Sequence, residues 1–256
     1  MTATGDTDRN FETCRHLAQE AVRRKCSMMF LPECCTFIGR NREETLAAAQ
    51  PLEGPLMARY RGLARETGLW LSLGGFQETG PDAAHTHNTH VVLDARGDTV
   101  AAYRKVHLFD VDQSAQGGPV LKESRGTAPG RELVACDSPI GRLGLSVCYD
   151  LRFPAVYQEL VYGRGAEILL VPSAFTVRTG AAHWHVLLRA RAIETQTYVL
   201  AAAQVGRHNE TRESYGHTLA VNPWGDIVGE VAEPVTGITV VRIDRGELQR
   251  RSISLV

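Results

Sequence analysis

The sequence carries almost no net charge: 28 lysines and arginines stand against 29 aspartates and glutamates in 256 residues. Such a balance gives no electrostatic pull toward nucleic acid or an anionic membrane surface, so neither is expected as a partner. Long hydrophobic runs are missing too, which argues against an α-helical membrane span. The opening MTATGDTDRN is polar and reads as no signal peptide. Cysteine is sparse: Cys14, Cys26, Cys34, Cys35, Cys136 and Cys148 show neither metal-type C-x-x-C spacing nor a small-scaffold disulfide framework. They are expected as reduced thiols in a cytosolic-type compartment, the adjacent Cys34 and Cys35 filling core. No Pro-, Gly- or Ser-rich linker, repeat or low-complexity tract interrupts the chain, so residues 1–256 read as one domain.

What is present is an alternation of helical and strand patterns, pointing to an α/β fold. Phe11, Cys14, Leu17, Ala18, Ala21 and Val22 keep helical spacing. Residues 27–31 form an apolar strand ending in Pro32-Glu33, followed by helices over 44–49 and 56–66 and a strand over 69–76. Residues 87–94 and 99–106 read as a hairpin around Ala95-Arg96-Gly97-Asp98. Residues 109–130, rich in Gly, Pro, Gln and Ser, read as a long loop of the kind that often carries function. Beyond it a strand is expected over 143–147, a helix over 154–162, a strand over 167–172, a helix over 184–195 and a strand over 198–204. A hairpin then pairs 217–222 with 226–231 across Pro223-Trp224-Gly225, and a last strand over 237–243 precedes a helix from Asp244. The first helix lacks the strand that an α/β pattern places before it, and the chain stops on Ser-Ile-Ser-Leu-Val, so both ends read as clipped.

Chemistry gathers in GRLGLSVCYDLRFPAV, residues 141–156. A short apolar strand ends in Cys148, and a helix resumes with Pro154 in its first turn. A strand–turn–helix of this kind holds a nucleophile above a sheet and points free N–H groups at the thiol, which favours thiolate. A buried structural cysteine is the alternative that this stretch alone leaves open. Glu33 and Lys105 each terminate other apolar strands, and ligand groups in open α/β sheets collect at the C-terminal ends of strands. An acid, a cation and a thiol make a chemical set: Cys148 as nucleophile, Glu33 as proton carrier, Lys105 as oxyanion partner. His85, His87 and His90 invite a metal reading. In regular strand, however, His87 and His90 point to opposite faces and no carboxylate or cysteine completes a tight site, so no metal is expected.

Leu31-Pro32-Glu33, YRKVHL (103–108) and GLSVCYDLRFP (144–154) resemble, in this order, the three signature segments of the nitrilase, or carbon–nitrogen hydrolase, superfamily. The likeness covers nearly the whole chain. PSAF (172–175), HWHVLLRARAIETQ (183–196), AAAQVGRH (201–208) and SYGH (214–217) are most similar to its deaminated glutathione amidase branch, with the ω-amidase branch as its sister. The resemblance implies a four-layer α-β-β-α sandwich, here with its first strand apparently missing, assembled as a homodimer or larger. It implies Glu33, Lys105 and Cys148 as catalytic residues, with the family's second glutamate falling on Glu123; a loop-surface charge is the other reading of Glu123.

The implied reaction is amide hydrolysis through a thioester on Cys148, with no metal or organic cofactor. In the oxyanion site Lys105 would be joined by the Tyr149 N–H. Candidates for holding a substrate carboxylate are Arg152, Ser173, Thr176, Arg178 and His183; Arg152 alternatively pairs with Asp150. Arg189, Arg191 and Glu194 are expected as structural ion pairs. The resemblance leaves hydrolysis of 2-oxoglutaramate, or a partner-binding signalling role, as alternatives. Some relatives are fused to a histidine-triad nucleotide hydrolase, which makes such a protein a candidate partner. The expected location is the cytoplasm, with mitochondria as a second site.

Overall fold

A computed structural model describes residues 1–112 and 120–251; residues 113–119 of the expected loop and the apolar tail 252–256 lie outside the described residues. Helix α1 (Thr7–Arg23) starts at Asp6, whose carboxylate accepts from the Asp8 and Arg9 N–H groups at 3.0 Å. Strand β1 (Met28–Leu31) follows, then α2 (Arg42–Ala48) and α3 (Pro55–Thr67), which Gly68 closes in the left-handed region at φ 68°. Strands β2 (Trp70–Thr79), β3 (Thr86–Leu93) and β4 (Thr99–Arg104) complete a sheet of order β1-β2-β3-β4, parallel at β1–β2 and antiparallel beyond.

A small hairpin, β5 (Asp110–Asp112) and β6 (Val120–Lys122), occupies part of the stretch read as loop. The second half supplies β7 (Val134–Ser138), β8 (Gly141–Leu145), β9 (Ile168–Leu170), β10 (Tyr198–Ala201), β11 (Val205–Arg207), β12 (Glu213–Tyr215), β13 (Thr218–Val221) and β14 (Ile227–Val231). Its helices are α4 (Pro154–Gln158), which runs on as a π-helical turn to Gly163, α5 (Val177–Thr195) and α6 (Arg245–Arg251). The second sheet runs β14-β13-β10-β9-β8-β7 with β8, β9 and β10 parallel, while β11 and β12 pair separately.

Strand alternation builds the layers. In β9, Ile168 and Leu170 face the first sheet and meet Met28, Val92 and Tyr103, while Leu169 faces outward to Leu160, Trp184 and Leu188 of the α4–α5 layer. In β1, Met28 faces the second sheet, whereas Met29 and Leu31 face Leu17, Ala21, Tyr60 and Leu63 of α1 and α3. The order is helices, sheet, sheet, helices. No described helix is long and apolar enough to cross a membrane. All six cysteines are free thiols, with Cys34 and Cys35 buried.

Three readings of the sequence are corrected. Helix α5 begins at Val177 rather than 184, because Thr176 caps it. Residues 109–130 are not all loop. Residues 237–243 form no strand ladder; with edge strand β1 they line an apolar cavity of about 460 Å³ and find no strand to pair with. No strand precedes α1 among the described residues. Instead the Met1 carbonyl accepts from the Val205 N–H at 3.0 Å, and the Ala3 N–H donates to Gln204 Oε1 at 3.0 Å.

His90 bridges the sheets, with Nε2 2.7 Å from Ser72 Oγ and Nδ1 3.0 Å from the Ser146 carbonyl. Burial pulls it down from 6.5 to about 4. Between those values the unfolded chain holds the extra proton, so stability is full above about pH 6.5 and falls with acidification, by up to about 3 kcal/mol. Burial of His208 adds a loss of the same sign. Urea unfolding at about pH 7.5 and about pH 4.5 should show the drop, and His90→Gln should flatten it; a parent curve flat over that range contradicts the assignment.

Candidate active site

The ends of β1 and β4 and the turn after β8 converge. Glu33 sits two residues beyond β1, in a bend where Cys34 takes φ 56° and its N–H donates to the Gly75 carbonyl at 3.0 Å. Lys105 directly follows β4, its N–H donating to the Asn88 carbonyl at 2.9 Å. Cys148 opens a short 3-10 turn, Cys148–Arg152, at φ 49°. A non-glycine residue in that region is strained, and such strain survives where the surroundings force it. Here Asp150 does the forcing. Fully buried, its carboxylate accepts from the Val147 N–H at 2.9 Å, the Tyr103 hydroxyl at 2.7 Å and the His107 N–H at 3.0 Å, tying the turn to the end of β4.

The side chains form one buried network. Lys105 Nζ donates to Glu33 Oε1 at 3.1 Å and to Glu123 Oε2 at 2.9 Å; Lys105 is 2% exposed. The Ala174 N–H donates to Glu33 Oε2 at 3.0 Å, and the Phe109 N–H to Glu123 Oε2 at 2.7 Å. The Cys148 thiol lies against this network, near the Glu33 carboxylate, the Lys105 ammonium and the Ala174 N–H.

Burial works to raise the Glu33 carboxyl, but the Lys105 charge, the neighbouring Cys148 thiol and the hydrogen bond from Lys105 hold it below the usual range. Burial works to neutralise Lys105, yet Glu123, Glu33 and Cys148 together drive its pKa well up. Cys148 goes the other way from the sequence expectation. Burial and the Glu33 charge push the thiol well above its ordinary value, against the opposing pull of Lys105. The resting site therefore holds a thiol beside a carboxylate, not a thiolate favoured by helix N–H groups. That pairing suits a nucleophile deprotonated only as it attacks.

The other expected residues divide. Tyr149 packs edge-on against Phe109 and Phe153 at 5.0 and 5.5 Å. Arg152 does not pair with Asp150; its guanidinium lies over the Tyr149 and Phe175 rings at 6.0 and 5.8 Å, with Nη2 3.2 Å from Nδ1 of exposed His183. Ser173 is fully buried and donates to the Val171 carbonyl at 3.2 Å, so its hydroxyl is spent on the backbone. Thr176 accepts from the Thr179 N–H as the α5 cap. Arg178 is exposed on the first turn of α5. Arg191 pairs with Glu194 at 2.8 Å, whereas Arg189 donates to the Gly225 carbonyl instead. His85, His87 and His90 go to separate partners: Asp82, the Ala128 carbonyl and Ser72.

Asn88 escaped the sequence reading. Its Nδ2 donates to Glu33 Oε1 at 2.9 Å and to Glu123 Oε1 at 3.5 Å, joining the two carboxylates. The available signal was Thr86-His87-Asn88-Thr89-His90, a polar run in a strand buried along its whole length.

Residues 1–252 match the family model described as carbon-nitrogen hydrolase. The chain belongs to the carbon–nitrogen hydrolase family. This hydrolase is 50% identical over 254 residues to the deaminated glutathione amidase of Rattus norvegicus, covering 98% of the chain and 76% of the relative. The crystal structure of the C. elegans NitFhit protein superposes with a TM-score of 0.92 at 44% identity; it covers the whole chain but only 61% of the nematode protein. An amidase from Nesterenkonia sp. AN1, solved after Michael addition of acrylamide at its active-site cysteine, matches with a TM-score of 0.78 at 27% identity, covering 100% and 94%. The chain is thus an amidase-type carbon–nitrogen hydrolase in a nitrilase fold.

Proposed function

We propose that the enzyme hydrolyses the amide of deaminated glutathione to 2-oxoglutarate and cysteinylglycine, with Cys148 as nucleophile. The observation that carries the chemistry is the buried Glu33–Lys105–Glu123 network against the Cys148 thiol. Glu33 takes the thiol proton as Sγ attacks the amide carbonyl, and Lys105 holds the oxyanion with the Tyr149 N–H. Collapse breaks the C–N bond, and the leaving amine takes the proton from Glu33. Water, deprotonated by Glu33, then attacks the thioester and releases 2-oxoglutarate and the Cys148 thiol. Glu123 fixes Lys105. Arg152, a cation resting on the Tyr149 and Phe175 rings, offers a partner for the substrate carboxylate.

Support for this substrate comes from the 50% identity to deaminated glutathione amidases of several mammals. Fusion of related chains to a fragile histidine triad protein in C. elegans and Drosophila supports such a protein as a partner. The purified enzyme is expected to release 2-oxoglutarate from deaminated glutathione at least tenfold faster, by kcat/KM, than from 2-oxoglutaramate, a difference of about 1.4 kcal/mol in transition-state binding. The reverse preference assigns it to ω-amidase chemistry.

A further inference from the structure

Away from the Cys148 network, three side chains from three elements converge on one carboxylate oxygen. His185 on α5 places Nε2 3.0 Å from Glu230 Oε1, and His217, between β12 and β13, places Nδ1 2.7 Å from the same atom. Glu230 lies on β14. All the donor atoms fall within 4.8 Å of one another.

We propose that His185, His217 and Glu230 form a binding site for a zinc-like divalent transition metal, fastening α5 to the β13–β14 hairpin. Two imidazoles and one carboxylate match zinc and its neighbours rather than magnesium or calcium, which want oxygen alone. Ligands about 2.1 Å from a tetrahedral ion sit about 3.4 Å apart, so both histidine–glutamate spacings are already close to those of a bound site. The two histidine nitrogens lie within 4.8 Å of each other, a gap that a bound ion draws in. All three side chains are about a quarter to a third exposed, which leaves an entry path and room for a water as fourth ligand.

The backbone also holds the site ready. His217 sits in the left-handed region at φ 58°, after Gly216 at φ 90°, a conformation that is strained for a histidine. Trp184 Nε1 donates to the His217 carbonyl at 2.8 Å, and the Tyr215 ring stacks on the His217 ring at 4.4 Å. The two imidazoles meet nearly edge-on, 5.0 Å between centroids and 72° apart.

The test uses Cys148→Ala, which removes a thiol that would bind metal itself. Zinc is titrated calorimetrically, cobalt(II) is followed by its visible spectrum, and thermal unfolding is recorded with and without zinc. One ion per chain, a tetrahedral cobalt spectrum without thiolate charge transfer, and a raised unfolding temperature are expected. Adding Glu230→Gln or, separately, His185→Ala should weaken binding at least tenfold and abolish the thermal shift. The isosteric glutamine keeps the fold testable if alanine does not. Binding that is absent in the parent, or unchanged by both variants, overturns the proposal.

Discussion

Cys148→Ala is expected to remove amide hydrolysis while leaving the fold in place. Losing a nucleophile that acts as a unit with its base costs on the order of 10⁵–10⁶ in kcat. The structural cost is small. The strained backbone at Cys148 is held by the Asp150 hydrogen bonds to Val147, Tyr103 and His107, which use no atom of the Cys148 side chain, and alanine tolerates φ 49° no worse than cysteine does. Removing one sulfur from a half-buried position costs about 1 kcal/mol, a few degrees of unfolding temperature at this chain length. Removing the thiol also leaves Glu33 with its Lys105 and Ala174 partners intact. Turnover measured beside thermal unfolding separates the two effects, and mass spectrometry of quenched parent enzyme should show an acyl adduct that the variant lacks. Turnover persisting in a folded variant removes Cys148 from the chemistry.

The elements that the sequence reveals are those whose apolar pattern is strong. Met28–Leu31, Leu143–Leu145 and Ile168–Leu170 are short apolar runs bounded by turn residues, and each becomes a strand buried on both faces. Glu33, Lys105 and Cys148 stand out because polar groups directly after such runs emerge at a sheet's end. Side-chain direction is less visible. Ser173 and Thr176 lie near the end of β9, yet one hydroxyl turns to the Val171 carbonyl and the other caps α5. Asn88 was hidden because its strand is antiparallel: the start of β3, not its end, lies beside Lys105. The thiol's protonation was misjudged because the sequence shows the turn that follows Cys148 but not the Glu33 carboxylate that burial sets against it. The stretch 237–243 has the composition of a strand, but a strand exists only where a neighbour accepts its hydrogen bonds.

Lys105→Met should damage activity and stability together, and the pH dependence of the damage is diagnostic. Loss of one oxyanion partner costs on the order of 10²–10³ in kcat. The same change strips the cation from between Glu33, whose side chain is 5% exposed, and Glu123. Breaking a buried ion pair by removing one partner costs about 3–5 kcal/mol, since the remaining charge keeps its desolvation penalty. Glu33 then loses its strongest opposite charge and keeps burial against the weaker pull of Cys148, Arg212 and its remaining hydrogen bonds, so its folded pKa rises above the parent's. The folded variant therefore binds a proton at Glu33 more tightly than the folded parent does, so it draws less stability from that group as pH rises. In the parent Glu33 is held below the usual carboxylate range, so stability gains from that group as pH rises. The gap between parent and variant must widen from about pH 5 to about pH 8, read as the difference in urea unfolding free energy. A gap that stays constant would mean that Lys105 does not hold the Glu33 proton equilibrium, and the carboxylate would then need another source for its readiness to take the Cys148 proton.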